Sequence, residues 1–327
     1  MGLLVDGQWQ DRAFETKGGA FERKASSFRN WVTRDGGPGP DGQRGYPAEA
    51  GRYHLYVSLA CPWAHRTLIV RRLKKLEEVI SVSVVDFLMA EEGWIFSDRP
   101  GATPDAINGA KRLYEVYAAA DPTYTGRVTV PVLWDRVDNT IVNNESADII
   151  RMLNASFDAF GDTSVDLYPS GLRAEIDAVN AEVYDRVNNG VYKCGFATTQ
   201  AAYEAPFHAL FDTLDALEQR LSRQRYLLGT VITEADWRLF TTLVRFDAVY
   251  VGHFKCNLRR IADYPHLSHY LRDLYQVPGI AETVDFDHIK GHYYQSHRMI
   301  NPTGIVPLGP EIDLSAPHDR GRFDAMP

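Results

Sequence analysis

Tyr53-His54-Leu55-Tyr56-Val57-Ser58-Leu59-Ala60-Cys61-Pro62-Trp63-Ala64 is the stretch on which the fold turns. Its first seven residues are aromatic or branched with partial alternation, the pattern of a strand. Pro62 then opens a helical stretch to about Leu76, because proline at the first helical position forfeits no hydrogen bond and arrives with its φ already set. Ile80 to Leu88 (ISVSVVDFL) reads as a second strand. Strand, helix and strand make a βαβ unit, and such crossovers are right-handed and parallel almost without exception. Cys61 falls at the corner, near the helix N-cap. Unpaired backbone N–H groups and the positive end of the helix dipole favour a thiolate there, and the thiolate is the reactive form. A cysteine at an arbitrary position is more often a small buried apolar residue; the strand-Cys-Pro-helix setting points to chemistry.

A dithiol redox motif would place a second cysteine three residues on, where this chain has Ala64. Cys61 has no local disulfide partner, so an external thiol must resolve any mixed disulfide it forms. That points to glutathione. Two further features fit an extended peptide ligand. The run Val128 to Asp135 (VTVPVLWD) reads as a strand with Pro131 inside it, hence an edge, a bulge or a special turn. A cis Val130–Pro131 bond would turn the preceding backbone outward for strand-like pairing with a peptide; a plain edge-strand proline is the other reading. Asp138-Asn139 marks a turn and Thr140-Ile141-Val142 a short strand. Glu145-Ser146 then precedes a helical run, Ala147 to Leu153. Helix N–H groups and the Ser146 hydroxyl can hold a carboxylate while Glu145 pairs an ammonium, although the same dipeptide also serves as an ordinary cap.

Around this core the chain divides. Residues 1 to about 50 read as an irregular arm, with Gly, Pro and Asp crowding Asp35 to Gly42. Residues 90–126 read as a long insertion with a helical piece near Ala110 to Ala119. From about 171 only helices are expected, over 171–189, 201–223, 233–250 and 264–276. Thr233-Glu234-Ala235-Asp236 carries a capping signature with Asp in the usual Glu position. The tail from 286 is rich in His, Tyr, Gly and Pro and reads as loop.

Composition removes several classes. The 43 acidic and 35 basic side chains leave a formal charge of −8, which argues against non-specific nucleic-acid binding. The one basic cluster, Arg71-Arg72-Leu73-Lys74-Lys75, reads as a solvated helix terminus. The three cysteines, Cys61, Cys194 and Cys256, lie far apart in sequence, so a disulfide framework is not expected and a reducing, cytoplasmic setting is. The start, MGLLVDGQWQDR, lacks a secretory pattern, and no apolar run is long enough to span a bilayer, so no membrane association is expected. His65, one turn after Cys61, could pair with its thiolate, but is expected at the surface or in a cap. His288, His292 and His297 have loosely metal-like spacing without cysteine partners, and no metal site is expected.

The order Cys-Pro-Trp-Ala, Val-Pro, Glu-Ser and an all-helical half resembles the cysteine-type glutathione transferases. Longer segments narrow the resemblance. They are Gly93-Trp94-Ile95-Phe96, Gly190-Val191-Tyr192-Lys193-Cys194-Gly195-Phe196-Ala197, Arg245-Phe246-Asp247-Ala248-Val249-Tyr250, His292-Tyr293-Tyr294 and Asn301-Pro302-Thr303-Gly304-Ile305-Val306-Pro307. Together they resemble the glutathionyl-hydroquinone reductases, the omega-like xi class, along essentially the whole chain. The resemblance implies an α/β plus all-α fold. A thioredoxin-like domain over 51–165 follows the 1–50 arm, and an all-helical substrate domain over 166–285 precedes a 286–327 tail packed on both. The active site is expected in the cleft between the domains.

The resemblance also implies roles. Cys61 is the nucleophile. Trp94, the backbone of Arg127, Val128, Thr129 and Val130, and Glu145 and Ser146 hold glutathione. Tyr192 gives and takes a proton. Tyr250 and Tyr293 donate hydrogen bonds that favour the Cys61 thiolate, with the adjacent Tyr294 as an alternative to Tyr293. Cys194 is a bystander. The implied reaction is glutathione-dependent removal of the glutathionyl group from a glutathionyl-hydroquinone, through a Cys61–glutathione mixed disulfide, in a homodimer. The alternatives are an omega-like thioltransferase or dehydroascorbate reductase, and a non-catalytic interaction module on the same fold.

Overall fold

The computed structural model describes residues 2–11 and 16–324; Met1, residues 12–15 and residues 325–327 of the expected arm and tail lie outside the described residues. Two compact units emerge. The first takes Met1–Phe14, Lys24–Asp166 and Asp287–His292, and the second Glu15–Arg23, Leu167–Phe286 and Tyr293–Pro327.

In chain order the first unit begins with β1 (Gly2–Val5) and β2 (Gln8–Asp11), and the hairpin β3 (Thr16–Lys17) and β4 (Ala20–Phe21) that follows belongs to the second unit. The first unit resumes with β5 (Trp31–Thr33), β6 (Gly45–Pro47), β7 (Tyr53–Val57), α1 (Pro62–Leu73) and β8 (Ser81–Val84). Next come α2 (Leu113–Ala120), β9 (Gly126–Arg127), β10 (Val132–Asp135), β11 (Thr140–Asn143) and α3 (Ser146–Ala155). Its central sheet has the order β11-β10-β7-β8. β7 and β8 are parallel across the α1 crossover, with Leu55 opposite Val82, and β10 runs antiparallel to β7 with Leu133 opposite Leu55. β7 is buried along its whole length, which is why its sequence alternates only partially. Arg52 clamps the hairpin side of the sheet by donating from Nη2 to the fully buried Asp135 at 2.7 Å.

The structure corrects several expectations. The 1–50 arm is not irregular: β1 pairs with β2 and β9, and β5 pairs in parallel with β6. The Gly-rich loop is what permits this. A side chain at Gly45 would strike the Gly37 carbonyl, so only glycine lets the loop fold back on β6. The arm is tied to α3, where the Val32 carbonyl accepts from the Ser156 hydroxyl at 2.7 Å and Arg29 Nε donates to Asp148 at 2.6 Å. The second strand stops at Val84 rather than Leu88, because the Asp86 carboxylate accepts from Leu88 N–H at 2.8 Å and turns the chain. Pro131 lies before β10, not inside it, and the Val130–Pro131 bond is cis. The 90–126 insertion is organised by buried Asp105, which accepts from the Tyr56 hydroxyl at 2.9 Å and from Ala110 N–H at 3.0 Å. The basic cluster is not simply solvated. Lys74 is buried, with Nζ donating to Asp158 at 3.1 Å and to the Val165 carbonyl at 2.9 Å.

The second unit is helical: α4 (Arg173–Val183), α5 (Gly190–Gly195), α6 (Gln200–Leu221), α7 (Glu234–Arg245), α8 (Pro265–Tyr275) and part of α9 (Phe286–Ser296). The expected helices over 171–189 and 233–250 are each interrupted. Tyr184–Asn188 and Phe246–Tyr250 are π-helical turns. The tail expected as loop begins with α9, since histidine and tyrosine tolerate helix well enough when the helix is packed. Gly291 is needed within it, because a Cβ there would lie 2.8 Å from the Phe87 ring.

The expected cap at α7 is present. The buried Asp236 carboxylate accepts from Thr233 N–H at 2.9 Å, Leu227 N–H at 2.9 Å and the Tyr270 hydroxyl at 2.8 Å. Replacing Asp236 by Ala strands four buried donors, the Thr233 hydroxyl at 3.1 Å being the fourth. It should destabilise the helical unit by about 2–4 kcal/mol, read as a lowered chemical-denaturation midpoint followed by far-UV circular dichroism. Thr230→Ala, a few residues upstream, should change the midpoint by less than about 0.5 kcal/mol.

Candidate active site

In the first unit Cys61 is the N-cap of α1, in extended conformation with Pro62 as the first helical residue. Its backbone is fixed on both sides: Cys61 N–H donates to the Ser58 carbonyl at 3.1 Å, and its carbonyl accepts from His65 N–H at 3.0 Å. The sulfur is half-buried and its thiol donates to the Val130 carbonyl at 3.6 Å. That contact belongs to the protonated form. A thiolate would turn from the carbonyl toward the first N–H groups of α1, where its charge is favoured. Cys61 and Val130, sixty-nine positions apart, are thus neighbours.

The other residues expected to hold glutathione lie in the 90–126 insertion, on β9 and the segment after it, and at the start of α3. Thr129 is gripped by Tyr117, whose hydroxyl donates to the Thr129 carbonyl at 2.8 Å and accepts from Thr129 N–H at 3.2 Å. The same hydroxyl accepts from Asn144 Nδ2 at 3.1 Å, which ties the 128–130 segment to the residue before Glu145. Glu145 is the N-cap of α3: its carboxylate accepts from Ala147 N–H at 3.2 Å and from the Ser26 hydroxyl at 3.0 Å. Both the capping and the binding reading of Glu145 therefore start from a carboxylate already in place. Ser146 is buried and its hydroxyl accepts from Arg66 Nη1 at 3.4 Å. Arg127 belongs to β9, and its Nη1 donates to the Gly2 carbonyl at 3.3 Å. Val128 is buried. Trp94 is buried too, with its ring stacked on His292 at 4.8 Å.

Tyr117, Arg66 and Ser26 were not legible as site residues. Arg66 had one available signal, its place one turn beyond Pro62 on the same helix face. His65 is fully buried rather than at the surface, because α1 is covered on most sides. The three tail histidines take separate partners: His288 faces the Pro100 carbonyl at 2.8 Å, His292 the Phe87 carbonyl at 2.8 Å, and His297 the His253 ring at 3.2 Å. Among the described residues no group of three or more His, Cys, Asp or Glu side chains is arranged to hold a metal ion.

In the second unit Tyr192 lies on α5, directly after the first π turn, and Tyr250 closes the second. Tyr293 on α9 joins them. Its hydroxyl is 2.6 Å from that of Tyr192 and 3.0 Å from that of Tyr250. Tyr294 is not part of this chain; its hydroxyl contacts the Ala248 carbonyl at 3.4 Å. Burial first, and then the neighbouring phenols, push the Tyr250 and Tyr293 hydroxyls well above their ordinary value. Both hold their protons at neutral pH. Tyr192 is the half-buried member of the three. Cys194 is buried on α5 beside Cys256, whose thiol is pushed well above its usual value by burial and then by that neighbour. The two are distant in sequence and adjacent in the fold.

Comparison with known proteins agrees with this anatomy. Residues 60–156 match the family model for the glutathione S-transferase N-terminal domain, and residues 200–273 that for the C-terminal domain. The chain is 60% identical over 323 residues to the glutathionyl-hydroquinone reductase YqjG of Escherichia coli (strain K12), covering 98% of each protein. The glutathione-bound structure of YqjG superposes with a TM-score of 0.92 at 57% identity, covering 98% of this chain and 100% of that one. The glutathionyl-hydroquinone reductase PcpF of Sphingobium chlorophenolicum is 57% identical over 96% of this chain and 98% of its own length. A Xi-class transferase from Natrialba magadii gives a TM-score of 0.91 at 50% identity, over 99% of this chain and 97% of that one. The chain belongs to the glutathione S-transferase family, in the group that holds the glutathionyl-hydroquinone reductases and Xi-class enzymes.

Because Tyr293 joins the half-buried Tyr192 hydroxyl to the buried one of Tyr250, Tyr293→Phe should cost about 1–3 kcal/mol in the denaturation of the helical unit. Tyr294→Phe, which loses only a long contact, should cost less than about 0.5 kcal/mol. Equal losses would show that the hydroxyl chain contributes nothing.

Proposed function

We propose that this chain is a glutathionyl-hydroquinone reductase that uses glutathione as co-substrate. The observation that carries the reading is that one chain holds both a monothiol at a helix N-terminus, Cys61, and a hydroxyl chain ending on a half-buried tyrosine, Tyr192. A thioltransferase acting on disulfides needs only the first. A thioether on an aromatic ring needs both, because carbon–sulfur cleavage requires a proton at the ring carbon.

In the proposed reaction Tyr192 protonates the ring carbon that bears sulfur while a ring hydroxyl releases its proton to water, so the substrate becomes its ketone-like tautomer; that proton later returns to the enolate oxygen. The Cys61 thiolate attacks the glutathionyl sulfur. The carbon–sulfur bond breaks, its electron pair returns to the ring as an enolate, and protonation of oxygen gives the hydroquinone. Cys61 is left in a mixed disulfide with glutathione. The thiolate of a second glutathione attacks that disulfide, expels the Cys61 thiolate and leaves as oxidised glutathione. One thioether is reduced and two glutathionyl sulfurs are oxidised, and the proton of the incoming thiol restores Tyr192. Trp94, the Arg127–Val130 backbone, Glu145 and Ser146 form the glutathione site in this reading. The α3 N-terminus and the Ser146 hydroxyl suit the carboxylate of the γ-glutamyl end, and Glu145 its ammonium. Phe21, Phe196 and Phe254 pack around the Tyr192 ring and hold its plane.

The reaction consumes reduced glutathione, which fits a reducing, cytoplasmic setting. Among the described residues no helix is long and apolar enough to cross a membrane. A homodimer completes the reading.

The test is release of hydroquinone from a glutathionyl-hydroquinone in the presence of glutathione. Cys61→Ala should abolish release and the glutathione adduct seen by mass spectrometry of the protein. Tyr192→Phe should lower turnover about 100-fold or more while the adduct still forms from oxidised glutathione. Full turnover in Tyr192→Phe, with loss in Cys61→Ala, would favour a broader thioltransferase. No release by the unaltered protein would overturn the reading.

A further inference from the structure

The hairpin of β3 and β4 is the one part of the N-terminal region that clusters with the helical unit. Its attachment includes Thr198 N–H donating to the Gly19 carbonyl at 3.0 Å. Phe21 at the end of β4 is buried, with its ring 6.3 Å from that of Tyr192. Two residues on, Arg23 lies with its guanidinium carbon 5.0 Å from the centre of the Tyr192 ring. The guanidinium is not loosely laid there: Nε donates at 2.7 Å to Oδ1 of Asn189, the residue that follows the first π turn. Arg23 also borders a cavity of about 360 Å³ shared with Asn189 and Tyr184, so altering its side chain opens no packed interior.

A cation over an aromatic face is attracted by the ring quadrupole, and more strongly when the ring carries the negative charge of a phenolate. We propose that Arg23 is a positioning residue for Tyr192. Its guanidinium, held over the ring by Asn189, stabilises the phenolate left when Tyr192 gives its proton to substrate. This rests on the assignment of Tyr192 as the proton donor. Other groups facing Tyr192 act differently. Tyr293 and Tyr250 bring neutral hydroxyls from α9 and the second π turn, with Arg245 acting on both from behind. The His253–His297 pair lies against the Tyr293 ring. On α5 itself Lys193 pairs with Asp185 at 2.6 Å. Glu22, beside Arg23, lines the same cavity. Arg23 is the cation over the Tyr192 ring itself.

The test reads the ionisation of Tyr192 in the full-length protein, as the ultraviolet difference titration against Tyr192→Phe. Arg23→Gln keeps an N–H for Asn189 and removes the charge. It should raise the Tyr192 midpoint by about half a pH unit and slow single-turnover hydroquinone release about two- to fivefold, the size of an exposed cation–π contact. Arg23→Lys should fall between the two. Added salt should raise the midpoint in the unaltered protein and leave it unmoved in Arg23→Gln, because an exposed charge is screened. An unchanged midpoint and salt response in Arg23→Gln, with Tyr192→Phe still impaired, would overturn the role of Arg23. Full release by Tyr192→Phe would instead overturn the reading on which it rests.

Discussion

A helix that begins at Pro62 leaves its first backbone N–H groups without acceptors of their own, and the first unit is organised around that end. β7 delivers the chain to Cys61 and is locked between β8 and β10. α1 is held at mid-length by Arg66 on Ser146, and near its far end by Arg71 on the Ile80 carbonyl. Lys74, just past α1, reaches Asp158 and the Val165 carbonyl. Each is a charged group buried or half-buried against oxygen acceptors, and such groups are costly to move. The N-terminus of α1 is therefore a fixed direction in space, and the Cys61 sulfur has little choice about where its charge is best accommodated.

The second unit solves a different problem. In the proposed mechanism one of its phenols, Tyr192, gives a proton to an aromatic substrate. Burial makes Tyr250 and Tyr293 poor acids. Their hydroxyls meet along one chain with that of Tyr192, built from residues that would otherwise be core.

Much of this was legible in the chain. The strand-Cys-Pro-helix corner, the Ala64 that stands where a dithiol motif has its second cysteine, the cap at Thr233 and the helical second half all follow from local rules. What escaped were features set by distant contacts. The Tyr117 hydroxyl serves Thr129 and Asn144 together, and no spacing announces that. β5 and β6 pair only because Gly45 lets a loop fold over them. The resemblance named Tyr192, Tyr250 and Tyr293; their mutual hydrogen bonds, and the choice of Tyr293 over Tyr294, needed α9, a helix that composition had disguised as loop. Periodicity also carried 171–189 and 233–250 through as unbroken helices, because a π turn changes register without changing residue type.

Those π turns have a consequence for chain length. Each closes its hydrogen bonds over one residue more than an α-helix does. Deleting one residue from Phe246–Tyr250 would restore a regular helix and, at 3.6 residues per turn, swing Tyr250 by about 100° away from Tyr293. Such a chain would retain its helix while losing the hydroxyl contact. The meeting of Tyr250 and Tyr293 is therefore set by chain length as much as by residue type.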